Sequence, residues 1–99
     1  MEFGIIRRIT RPISLPEWNR IIASTGQLEQ APDREGTNPF TKEKIVFPGA
    51  GKAFYVVGGK VIGNASLEEG EILTAGVPRQ LCEKIAQSID AQVLEDDRS

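Results

Sequence analysis

The segment Ile13-Ser14-Leu15-Pro16-Glu17-Trp18 constrains the fold of this chain more than any other. Ser14 is a strong helix N-cap, and Glu17 three residues later completes a capping box. In that motif the serine hydroxyl takes the N–H of Glu17 while the glutamate reaches back to the N–H of Ser14. Ile13 and Trp18 stand at the two positions of a hydrophobic staple. Pro16 falls in the first turn, where a missing N–H does no harm. Leu15, Trp18, Ile21, Ile22 and Thr25 recur at helical spacing, and Gly26 supplies a stop. The spacing predicts a helix over residues 15–25 with an apolar face that another layer must cover.

Short strand patterns supply that layer. Residues 1–10, with Phe3, Ile5, Ile6 and Ile9, read as a strand. Arg7 and Arg8 fall on its opposite faces, so at least one side is wet or at an edge. Residues 27–37 are polar, contain Pro32, Asp33 and Gly36, and read as an extended or mobile connection. Strand patterns follow at 44–47 and 53–57, separated by Pro48-Gly49-Ala50-Gly51. Gly58-Gly59 before Lys60-Val61-Ile62 is a two-residue hairpin signal. A turn over 67–70 precedes a strand at 71–74. Gly76-Val77-Pro78 then opens a second helix with Pro78 near its first position, and Leu81, Cys82, Ile85, Ala86 and Ile89 form its apolar stripe. Residues 92–95 make a closing strand. The order β-α-β-β-β-β-α-β predicts an α+β fold, one mostly antiparallel sheet with two helices on one face. Ninety-nine residues form one domain over 1–95, ending in a frayed acidic tail at 96–99.

Composition narrows the chemistry. The chain has no histidine and one cysteine, so serine and threonine hydroxyls lack an imidazole base and no disulfide closes within the chain. Cys82 lies inside the apolar stripe of the second helix, where a thiol is inert. Gly51-Lys52 ends a phosphate-loop pattern, but the position of its first glycine is Val46 and the residue after the lysine is Ala53. Gly49-Ala50-Gly51 begins a dinucleotide pattern that fails at Phe54. Glu68, Glu69 and Glu71 are close together but do not follow the alternating spacing of a calcium loop. Asn64-Ala65-Ser66 matches a glycosylation acceptor only by chance. The start of the chain lacks a signal peptide's basic lead and apolar run of roughly 7–15 residues. No apolar stretch reaches the about 18 residues of a membrane span. These features point to a cytoplasmic protein without a cofactor and without a metal.

Charge is unevenly spread. Residues 1–60 carry nine Lys/Arg against six Asp/Glu, and residues 61–99 carry three against eight, or +3 and −5. Such a chain has a solvated face, or two patches of opposite sign that steer a charged partner.

The segment Asn38-Pro39-Phe40-Thr41-Lys42-Glu43 resembles an N-P-x-T-G-E segment that precedes a strand in a group of small bacterial proteins of uncharacterised activity. The closing helix and the pattern A-x-V-x-x-D-D, seen here as Ala91, Val93, Asp96 and Asp97, are similar too, as is the position of the helix at Ser14. Together they cover roughly half the chain. Lys42 and Glu95 stand where those proteins have glycine, and residues 52–75 show little similarity. The resemblance implies a bacterial, cytoplasmic, single-domain protein and supplies no activity. In physical terms Asn38 before Pro39 initiates a turn, Phe40 is expected to anchor it to the core, and Thr41 to Glu43 form its tip.

Taken together, the sequence points to a non-enzymatic interaction or accessory module that binds another protein, a homodimer included. The candidate contact residues are Asn38, Phe40, Thr41 and Lys42 on the turn, with Arg7, Arg8 and Arg11. One alternative is nucleic-acid binding by Arg7, Arg8, Arg11, Arg20, Lys42, Lys44, Lys52 and Lys60, with Phe40, Phe54 and Tyr55 as stacking faces. The net charge of −2 and a pI near 5.1 disfavour it. The second alternative, a carboxylate-based enzyme or small-ligand binder, requires a concave pocket holding acidic residues.

Overall fold

The computed structural model describes residues 3–47 and 49–95. Eight strands and two helices follow one another as β1 (Phe3–Arg7), α1 (Leu15–Thr25), β2 (Leu28–Gln30), β3 (Arg34–Thr37), β4 (Lys44–Phe47), β5 (Lys52–Val57), β6 (Lys60–Glu68), β7 (Glu71–Ala75), α2 (Arg79–Ser88) and β8 (Gln92–Glu95). Six strands make one antiparallel sheet in the order β2-β5-β6-β7-β1-β8. β3 and β4 pair only with each other, as a separate hairpin. The fold is α+β, as the sequence predicts.

α1 forms for the reasons its sequence gives. Ser14 Oγ accepts from Glu17 N, and the Glu17 carboxylate accepts from Ser14 N. Gly26 ends the helix in the left-handed region at φ 71°. Its buried face is Trp18, Ile21 and Ile22, while Leu15 stays at the rim. α2 begins one residue after Pro78, which is its N-cap, and buries Leu81, Cys82, Ile85 and Ala86. Strand alternation sends Ile6, Ala53, Tyr55, Ala65 and Ile72 into the same core, so both helices lie on one face of the sheet. The opposite face carries Ile5, Leu73 and Leu94 half-buried in one cross-strand row.

Two expectations need correction. Residues 27–37 are not a plain connection. Leu28 is buried opposite Tyr55, which makes 28–30 the sheet's edge strand β2, and 34–37 pair with β4. A three-residue strand with one apolar anchor leaves no periodic signal. The turn expected over 67–70 shrinks to Glu69-Gly70, both at positive φ, because β6 continues to Glu68 opposite Glu71. The Gly58-Gly59 hairpin forms as predicted, with Val57 opposite Lys60 and both glycines at positive φ. The acidic tail expected at 96–99 lies outside the described residues.

Arg8 joins the layers. Its guanidinium donates to both carboxylate oxygens of Glu17 at 2.7 Å, to the carbonyls of Arg11 (3.2 Å) and Pro12 (3.0 Å), and to that of Ile89 (3.3 Å) at the end of α2. All five N–H donors are used. Hydrogen bonds from Arg8 and Ser14 hold the Glu17 carboxyl well below the usual carboxylate range. Both forms of the chain are ionised at Glu17 above its ordinary value of about 4.3. Below that value the unfolded chain takes up a proton that the folded chain refuses, so this stability declines progressively as pH falls. The expected outcome is a thermal midpoint that drops steeply below about pH 4. Glu17→Gln should flatten that acid limb and lower the midpoint at pH 7 by roughly 5–10 °C, as measured by circular dichroism melts.

Candidate interaction surface

Between β3 and β4 the chain turns through residues 38–43, and hydrogen bonds fix the turn. Asn38 Oδ1 accepts from Phe40 N (2.9 Å) and Thr41 N (3.4 Å). Lys42 N donates to Asn38 O (2.8 Å), and Asn38 N donates to Glu43 O (2.9 Å). Asn38 thus nucleates the tip as its type and place predict. Lys42 takes φ 63°, a left-handed conformation that a β-carbon disfavours and glycine adopts freely.

Phe40 departs from expectation. It does not anchor the turn in the core but is 92% exposed. Among the described strands β3 and β4 pair only with each other, so the tip is not tied into the sheet that carries the core. Along β4, Ile45 and Val46 are both exposed although they point to opposite faces. The hairpin is therefore an arm wet on both sides.

The root of the arm is clamped. Gly49 N donates to Asp33 Oδ1 (2.7 Å), and Gly49 O accepts from Gln30 Nε2 (2.8 Å) and Lys52 N (3.0 Å). Ala31 N donates to Lys52 O at 2.9 Å. The returning chain passes so close that a β-carbon on Gly49 would sit 2.1 Å from Ala31 O. Two residues on, Gly51 O accepts the Trp18 indole N–H (3.0 Å) and Leu67 N (2.7 Å), tying this crossing to α1 and β6.

The arginines sit elsewhere. Arg8 is a correction: only 8% exposed, it is an internal strut and offers nothing to a partner. Arg7 is exposed but paired with Glu71 on the neighbouring β7. Arg11 is exposed in the loop before α1. β1 lies three strands from β5, about 14 Å at ordinary strand spacing, so these arginines do not join the arm tip. The cations of the nucleic-acid alternative are equally scattered over β1, α1, the arm and the Gly58-Gly59 hairpin. Its aromatic residues diverge as well: Tyr55 is buried under the helices, Phe54 faces the other way, and Phe40 is on the arm.

Cys82 is buried and its thiol donates to Thr74 Oγ1, with burial pushing its pKa up. Among the described residues no three Asp, Glu or Cys side chains gather as metal ligands, and no helix is long and apolar enough to cross a membrane. A cleft of about 410 Å³ opens beside the arm root between Arg34 and the strands β5 and β6. Its lining contains Lys52, Phe54, Asn64 and Ser66 and no carboxylate, the reverse of the acidic pocket that a carboxylate enzyme would need. Sequence reading missed this group because its members come from three separate segments, each an ordinary strand or turn in isolation. Comparison with protein-family models, with curated proteins and with solved structures returned no match.

The strain at Lys42 is directly testable. Lys42→Gly should stabilise the chain by about 0.5–1 kcal/mol in urea denaturation, with the m-value unchanged.

Proposed function

We propose that this protein is a non-catalytic interaction module that works as a homodimer, with the β3–β4 arm of each copy as the contact element. The observation that carries this is Phe40, 92% exposed at the end of an arm whose turn is held by side-chain and backbone hydrogen bonds. An ordered turn that offers phenylalanine to water leaves about 1.5–3 kcal/mol of burial unrealised, which a partner can collect without first ordering the loop. Ile45 and Val46 add exposed apolar groups, one on each face of the arm.

A second copy suits the arm for two reasons. The arm, residues 34–47, carries three Lys/Arg against two Asp/Glu, whereas β7, α2 and β8 belong to the part with charge −5. Reciprocal contact between copies therefore brings opposite charges together. The row Leu94, Ile5, Leu73 on the open face of the sheet offers an apolar seat of the right kind. A cytoplasmic location, and a bacterial source as the resemblance of residues 38–43 implies, belong to the same proposal.

Light scattering coupled to size-exclusion chromatography, over a range of protein concentrations, tests it. The expected result is a dimer that weakens with added salt. Phe40→Ser should raise its dissociation constant at least about tenfold. A monomer throughout, or a dimer indifferent to Phe40→Ser, overturns the proposal.

A further inference from the structure

We propose that the cleft at the arm root binds a small organic anion in which one phosphate or carboxylate group is joined to a flat ring. The proposal does not rest on the dimer, since one copy builds the whole cleft; the cleft shares the open face with the seat suggested for the partner arm, Ser66 standing opposite Leu73.

The strand register assembles the site. Lys52 is paired with Ser66 and Phe54 with Asn64, and all four alternate away from Ala53, Tyr55 and Ala65, which are buried beneath the helices. They form a two-by-two patch on the open face, and Arg34 closes it from the arm. Arg34 and Lys52 have no carboxylate partner among the described residues. No carboxylate lines the cleft: Asp33 accepts the Gly49 N–H, and Glu29 stands on β2 beside Phe54. Two cations without a carboxylate partner among the described residues thus line one cleft in a chain whose net charge is −2.

Each residue type has a use toward such a ligand. The planar guanidinium of Arg34 and the ammonium of Lys52 complement an oxyanion. Ser66 and Asn64 supply further donors and acceptors. The Phe54 ring, with the apolar walls at Ala31 and Pro32, favours a flat apolar group over a bare ion. The volume of about 410 Å³ lies within the usual range for small-ligand sites. The clamp of Gly49 on Ala31, Asp33 and Gln30 holds the walls in place before any ligand arrives, which limits the ordering that binding would otherwise require.

The experiment is a titration of the full chain followed by amide chemical shifts. The probes are adenosine 5′-monophosphate, phenyl phosphate, benzoate, inorganic phosphate and phenol. Saturable shifts at residues 52–54 and 64–66 are expected with the probes that join acid to ring. Inorganic phosphate and phenol should bind at least about tenfold more weakly. Preference for phenyl phosphate or for benzoate identifies the acid, and either supports the proposal. Lys52→Gln and Arg34→Gln should each weaken binding about tenfold, while Lys44→Gln, an arm cation outside the cleft, should leave it unchanged. Binding should also persist in the Phe40→Ser protein, which separates this site from the arm contact. Absence of saturable shifts up to about 10 mM probe, or equal weakening by Lys44→Gln, overturns it.

Discussion

The guanidinium of Arg8 is the joint on which the described structure depends. It stands just past the end of β1, grips the carboxylate of Glu17 with two parallel hydrogen bonds, and takes the carbonyls of Arg11, Pro12 and Ile89 with the rest. A planar group with five donors can reach a sheet, a loop and two helices at once, which an ammonium cannot. Both helix dipoles are served by the pair. Glu17 is an anion in the first turn of α1, and Arg8 is a cation at the carbonyl end of α2. The same carboxylate closes the capping box with Ser14, so a local motif and a long-range bridge share one side chain.

A second joint sits where the arm returns to the sheet. Trp18, fully buried, places its indole N–H on Gly51 O, and the backbone around Gly49 and Ala31 crosses too tightly for any side chain at Gly49. Together these hold a hairpin that has no core of its own. An isolated two-stranded hairpin is marginal in water, so its order derives from the clamp at its root and the asparagine-centred turn at its tip. Apolar residues on such an arm are the feature from which an interaction role is argued. The cleft at its root follows from the same crossing, because it is the space left between the departing arm and the open face of β5 and β6.

The elements whose signals are local were legible in the sequence. The capping box, the helical spacing of Trp18, Ile21 and Ile22, the paired glycines at 58 and 59 and the stripe from Leu81 to Ala86 each work over a few residues and each formed as read. The short strands β2 and β3 were not legible, since three or four polar residues carry no period and are strands only because a neighbour pairs with them. Phe40 misled for a related reason. An aromatic residue in a turn ordinarily packs on a core, and nothing in its own segment reveals that the hairpin leaves the body of the protein.

By itself the sequence determined the class of the fold, both helices and their buried faces, the glycine hairpin, and the absence of histidine chemistry. These follow from side-chain type and periodicity at short range, where backbone geometry leaves few choices. Tertiary structure alone decided that adjacent Arg7 and Arg8 have opposite fates, one at the surface and one inside. It also decided that Phe40 faces water and that Arg34, Lys52 and Asn64 line one cleft. Arg8 meets partners 9 and 81 residues away. Contacts at such separation depend on how strands order in the sheet, and no local pattern encodes that order.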